Sequence, residues 1–128
     1  MDAERSRRSV SKLRVRNQSK NTLLTDRADI ADSSKTRKLG LLKHTKLEPG
    51  EGLWITPCEA VHTIGMKFPI DVVFLDKQRR VVKVRSDLQR WRMAACLRAH
   101  SVLELPSGWA QATQTAAGDQ LEFEKYEA

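Results

Sequence analysis

Short apolar runs alternate with polar turns along the chain, and their spacing predicts strands more often than helices. Leu13 and Val15 alternate with Arg14 and Arg16, "NQSKN" supplies turn chemistry, and Leu24, Ala28 and Ile30 mark a returning strand, so the first segment reads as a hairpin. "DSSKTRKLGLLKHTKL" (32–47) reads as a short helix. Asp32, Ser33 or Ser34 can cap it, and Leu39, Leu42 and Lys46 or Leu47 give a rough helical spacing interrupted by Gly40. "EPGEG" (48–52) breaks that element with Pro49 and two glycines. "LWI" and "AVHTIGM" are strand candidates separated by "TPCE". "IDVVFLD" (70–76) is the clearest strand, rich in β-branched and aromatic residues. "DKQRR" should turn the chain back into "VVKVR" (81–85), a second hairpin. "SDLQRWRMAACLRAH" (86–100) lacks clean periodicity and reads as a loop with room for a helical turn. "SVLELP" is a further strand, Ser107 is placed to cap a short helix over "GWAQAT", and "AAGDQLEFEKY" reads as a Gly-Asp turn into a last strand with Leu121 and Phe123 inward.

Together these elements predict an α+β domain: mostly antiparallel β, a compact curled sheet or small barrel, with two short helices. The alternating strand–helix units of a parallel sheet are absent from the pattern. Strand alternation assigns faces. His62, Ile64 and Met66 share one face of "AVHTIGM", and Val61, Thr63 and Gly65 the other. In the next strand Ile70, Val72 and Phe74 share a face, and Asp71 shares the opposite one with Val73 and Leu75. Both faces are apolar, so this strand should be central or covered. A carboxylate inside it needs either hydrogen-bond donors or an opening to water.

Composition adds bounds. A chain of 128 residues with 40% hydrophobic and 30% charged residues suits one globular domain. No apolar run approaches the ~20 residues of a membrane span. "MDAERSRRSV" has no apolar stretch behind it, so it does not read as a secretory signal, and the expected location is cytoplasmic. Net charge is +7. Residues 1–16 hold six basic side chains (Arg5, Arg7, Arg8, Lys12, Arg14, Arg16) against Asp2 and Glu4. Residues 1–12 therefore read as a basic N-terminal arm ahead of a single globular domain over 13–128. Such an arm is either a contact for nucleic acid or anionic lipid or a solvated tail.

Several residues could carry chemistry. Asp71 and His62 are each either a satisfied structural group or part of a site, and Met66 is core or a soft ligand. Cys58 and Cys96 are buried thiols or ligands, because a disulfide is disfavoured in a reducing compartment. Cys58 precedes His62, and Cys96 precedes His100, with the same Cys-x-x-x-His spacing. The four would make a Cys2His2 set for tetrahedral zinc. On one extended strand, however, Cys58 and His62 would lie ~13 Å apart, too far for one ion, so ligands from different segments would have to converge. "QRWRM" flanks Trp91 with Arg90 and Arg92, an arrangement that stacks on single-stranded nucleic acid or tucks a Trp onto the core edge. Nucleophile elbows, P-loops and Gly-rich dinucleotide loops are not found.

Taken together, "GEGLWITPCEAVHTIGMKFPIDVVFLD", "VLELPSG" and the later "GD" resemble the bacterial and archaeal family called domain of unknown function 192. The matching positions are Arg37, Gly40-Leu41, Gly52-Leu53, His62-Thr63, Met66, Pro69-Ile70-Asp71, Phe74, Asp76, Trp91-Arg92, Val102-Leu103-Glu104 and Gly108, over roughly residues 13–123. The resemblance implies a compact β-rich domain with no established activity. Many relatives carry a signal or membrane anchor, which the start of this chain does not predict. It departs from the family in having Arg90 where relatives often have Pro, and in lacking Gly in "DKQRR". That turn should either avoid positive φ or hold Arg79 in strain.

The reading that follows is a non-enzymatic binding or accessory domain, for a protein or small-molecule ligand, with a groove lined by His62, Asp71, Trp91, Arg92 and Glu104 and with no cofactor. The alternatives are a zinc-dependent hydrolase-like site built from Cys58, His62, Cys96 and His100, and a weak nucleic-acid binder using the basic arm and "QRWR".

Overall fold

The structure, a computed structural model, describes residues 11–128. The basic arm expected over residues 1–12 falls outside them up to residue 10; Ser11 and Lys12 already belong to the first strand. Strands β1 (Ser11–Asn17) and β2 (Thr22–Ala31) form the expected antiparallel hairpin, with irregular register around Val15.

Helix α1 (Ser34–Leu39) follows, capped by Ser33. The Ser33 hydroxyl accepts the Thr36 N–H at 3.1 Å, and Thr36 Oγ1 accepts the Ser33 N–H at 3.0 Å. Gly40, at φ 49°, ends it. Strand β3 (Glu51–Ile55) then runs parallel to β2. The sheet remains mostly antiparallel, as expected, with this single strand–helix–strand crossover added to it: the 32–50 segment is long enough for the crossover a parallel pair needs. Gly52 lets β3 sit between its neighbours, since a Cβ there would lie 3.1 Å from the Glu104 carbonyl oxygen and 3.3 Å from Leu105 Cδ2.

The remaining elements are β4 (Ala60–His62), β5 (Ile70–Leu75), β6 (Val81–Leu88), β7 (Met93–Ala95), β8 (Ser101–Pro106), α2 (Trp109–Ala112) and β9 (Leu121–Glu127). Seven strands form one mixed, mostly antiparallel sheet in the order β6-β5-β8-β3-β2-β1-β9, and β4 and β7 pair separately. The sheet curls without closing into a barrel. Among the described residues its edge strands meet around the Arg80–Gln120 bridge, where the Val81 N–H reaches the Asp119 carbonyl and the Leu121 N–H that of Arg79. Arg79 does take positive φ (63°), under cover of its guanidinium stacking on Phe123 and Trp54.

Two local expectations are corrected. "AVHTIGM" is a strand only as far as His62. The Met66 N–H bonds the Thr63 carbonyl and Gly65 sits at φ 84°, so the chain turns, and Met66 is buried while His62 and Ile64 point outward. The 86–100 segment completes β6 and supplies β7, with no helical turn.

The sheet separates two apolar clusters. Leu13, Val15, Leu24, Val73, Leu75, Leu103, Leu105 and Leu121 fill one face. Leu53, Ile55, Ile70, Val72, Phe74 and Val102 form the other, covered by Leu41, Val61, Met66 and Ala94 from the 40–42 segment, β4, the turn after it and β7. β5 and β8 are buried along their whole length. Alternation therefore puts Asp71 in the first cluster and Glu104 in the second. No helix among the described residues is long and apolar enough to cross a membrane.

Candidate functional site

Helix α1 buries none of its six residues. Its sequence, SKTRKL, has no apolar stripe with which to grip the sheet, so leucines beyond its end, Leu41, Leu42 and Leu47, anchor the crossover. The gap beneath is a cavity of about 310 Å³. Leu41, Leu42, Ile55, Val61 and Met66 make it apolar, Arg37, Lys38, His62 and Cys58 stand around it, and Glu104 reaches it from the sheet.

Glu104 is the anomaly in this setting. It is 3% exposed, pairs in register with Leu53 on β3 and Val72 on β5, and its carboxyl has no hydrogen-bond or ionic partner among the described residues. Burial alone pushes its pKa up to about 8, so the group is mostly a neutral acid at pH 7, able both to donate and to accept. Burial likewise pushes the Cys58 thiol up, and the carboxyl of Glu104 adds to that shift. The thiol donates to the Ala60 carbonyl at 3.1 Å.

The expected site residues divide. Glu104 and His62 line the cavity. His62 is exposed and its Nδ1 accepts the Ile64 N–H at 3.3 Å. Asp71 lies on the far face of the sheet, fully buried, with Oδ1 accepting the Asp87 N–H at 2.7 Å and Oδ2 the Ala110 N–H at 2.8 Å. It thus takes up a free N–H in the first turn of α2. Ser107, the expected cap, instead donates to Asp87, and Gly108 occupies the N-cap position. Trp91 (59% exposed, φ 64°) and Arg92 sit in the loop before β7, where Thr63 Oγ1 accepts the Arg92 N–H and donates to the Gln89 carbonyl. The structure does not bring these five side chains into one groove.

Nor does it gather the zinc set. Among the described residues no three His, Cys, Asp or Glu side chains lie close enough to hold a metal ion. Cys58 and His100 border a second, more open depression of about 340 Å³, while Cys58 and His62 border the cavity beneath α1. Arg37 and Lys38 were missed as site residues, because the crossover of α1 over the sheet brings them to the cavity that Glu104 also lines. Glu104 itself had a local signal, a lone acid inside the apolar run "SVLELP".

These placements carry a prediction. Asp71→Asn should destabilise the fold by about 1–3 kcal/mol, since one of two buried N–H groups loses its acceptor. His62→Ala, at an exposed position, should stay within about 0.5 kcal/mol of the parent. Urea melts of both variants check this; equal effects would count against it.

A family model described as "Uncharacterized ACR" (DUF192) matches residues 15–123. A UPF0127 protein of Pyrococcus abyssi is 32% identical over 114 residues, covering 84% of this chain and 94% of that protein. Two solved structures are similar. A protein of unknown function from Novosphingobium aromaticivorans has a TM-score of 0.75 at 22% identity, over 87% of this chain and 83% of that one. A Sinorhizobium meliloti protein, described provisionally as a transcription regulator, has a TM-score of 0.77 at 18% identity, over 88% and 92%. At those identities the two structures show a shared fold.

Proposed function

The chain belongs to the DUF192 family, and on that premise we propose that it is a small binding domain whose cavity beneath α1 takes a low-molecular-weight ligand. The observation that carries this reading is Glu104. Its carboxyl is set in an apolar wall, without a partner among the described residues, which makes it costly to bury, and it faces the cavity. A ligand hydroxyl, carbonyl or amide in the cavity would satisfy it. The cavity's size also lies within the range of small-molecule sites, and its walls have their composition: mostly apolar with a few converging polar groups.

Binding fits better than catalysis. A Cys–His nucleophile would need thiol and imidazole joined by a hydrogen bond, whereas Cys58 and His62 are each bonded to nearby backbone.

Titration with 1-pentanol, whose hydroxyl can meet the acid and whose chain matches the walls, tests the reading by amide NMR. Saturable shifts are expected at Leu41, Ile55, Val61 and Met66, with Leu13, Leu24 and Leu121 in the opposite cluster unmoved. Ala60→Trp, at an exposed position on the cavity wall, should suppress them. Uniform, unsaturable shifts across both clusters would remove the support for a binding cavity.

A further inference from the structure

We infer that the cavity's ligand is a small organic anion held by its two ends: an anionic head at Arg37 and Lys38, an apolar body along the walls, and an uncharged hydroxyl or amide at Glu104. This rests on reading the cavity as a ligand site, and it adds the ligand's class and orientation.

Three independent features support it. The first is the charge at the mouth. Arg37 and Lys38 both line the cavity, and among the described residues neither is paired with a carboxylate; the Arg37 guanidinium reaches only Ser34 Oγ, at 3.4 Å. Their neighbours along the chain, from Ser33 to Leu47, include Lys35, Lys43 and Lys46 and no acidic residue. An oxyanion entering here meets guanidinium and ammonium donors and a positive potential, while a cation is repelled before it reaches the floor.

The second is the floor. Among the described residues lining the cavity, Glu104 is the one carboxyl group. Its burial between Leu53 and Val72 keeps it protonated near neutral pH, so the floor offers a neutral donor and acceptor rather than a negative charge. A hydroxyl or primary amide complements both roles at once. A second carboxylate placed there would have to be desolvated next to an acid that cannot neutralise it.

The third is the wall. Leu41, Leu42, Ile55, Val61 and Met66 make the wall mostly apolar, with Ser34, Cys58 and His62 its few polar side chains, so the part of the ligand joining its two ends should be mainly hydrocarbon.

Calorimetric titration of the full chain with three probes of equal carbon length decides the matter: 5-hydroxypentanoate, pentanoate and 1,5-pentanediol, at pH 6.5. 5-Hydroxypentanoate should bind about tenfold more tightly than either of the others. The double variant Arg37→Gln, Lys38→Gln should lose that advantage over the diol, its affinity for the hydroxy acid falling by more than its affinity for the diol. Glu104→Leu should erase the preference for 5-hydroxypentanoate over pentanoate. Glu104→Gln, which keeps a donor and an acceptor, should retain it, and should retain it at pH 9.5, where the parent protein loses affinity as its floor ionises. Equal affinity for the diol and the hydroxy acid, or insensitivity to the Arg37–Lys38 substitutions, would overturn the anionic class, as would tighter binding of 5-aminopentanol. Any of these three results would leave the cavity reading standing if 1-pentanol still shifts its amides. Silence from every probe, 1-pentanol included, would take down both.

Discussion

Glu104→Gln should make the protein about 4–5 kcal/mol more stable than its parent at pH 9 and leave the two nearly equal at pH 4. The direction follows from burial. The folded-state pKa stands at about 8, above the ordinary value of 4.5, so between those two values the folded chain binds a proton that the unfolded chain has released. Stability from this group is therefore complete below about pH 4.5 and is lost as the pH rises through about 8. At about 1.4 kcal/mol per pH unit, that interval gives the stated difference. Glutamine has nearly the same shape and no charge to desolvate, so it removes the slope without opening a void. Guanidinium denaturation of both proteins at pH 4, 6, 8 and 9 gives the curve. Parallel stability profiles would show that Glu104 titrates normally, and would remove the neutral acid on which the cavity's chemistry depends. A gain at pH 9 that grows when a ligand is added, because the ionised parent binds it less well, would tie the Glu104 carboxyl to binding.

The sequence made the sheet more legible than the site, for physical reasons. The run from Ile70 to Leu75 is apolar on both faces, which a half-exposed strand would not tolerate, and it proves to be wholly buried. The Gly40-Leu41 and Gly52-Leu53 pairs were visible as motifs. Their reasons are three-dimensional: a positive-φ helix end, a close backbone approach, and in each case a buried leucine beyond. The faces of "AVHTIGM" were misjudged because alternation was carried past His62 into a turn that Gly65 permits. The β2–β3 parallel pair was missed because a single crossover leaves no repeating pattern. Asp71 and Glu104 look alike in sequence, each an acid within an apolar strand. What separates them is what each meets across space: backbone N–H groups of Asp87 and Ala110 for one, a cavity for the other. Neither partner lies near in the chain, so periodicity could mark both acids as unusual and could not say which is structural.

Phe74→Ala should cost about 3–5 kcal/mol, the range for truncating a buried aromatic side chain in a core that cannot collapse around the gap. Phe74 is fully buried on β5, opposite Val102 of β8 and Lys83 of β6, with the Lys83 ammonium 5.7 Å from its ring centre. Two sheet neighbours hold its backbone, so the strand cannot move in to fill the space. The β4–β7 pair above it is short, and three-residue strands bring few atoms that could sink toward the void. Phe74→Leu should cost less, because much of the volume remains. The substitution should also reach the site. Leu41, Ile55, Val61 and Met66 belong to the same cluster as Phe74 and also line the cavity, so loosening the cluster lets the walls shift. Phe74→Ala should therefore weaken the 1-pentanol response even where the protein remains folded, and Leu24→Ala, in the opposite cluster, should lower stability without that effect. Urea melts paired with the same amide titration separate the two outcomes. A Phe74→Ala protein within about 1 kcal/mol of its parent would mean the ring does not close the core, and equal loss of binding in both variants would mean that the cavity answers to global stability rather than to the cluster beneath it.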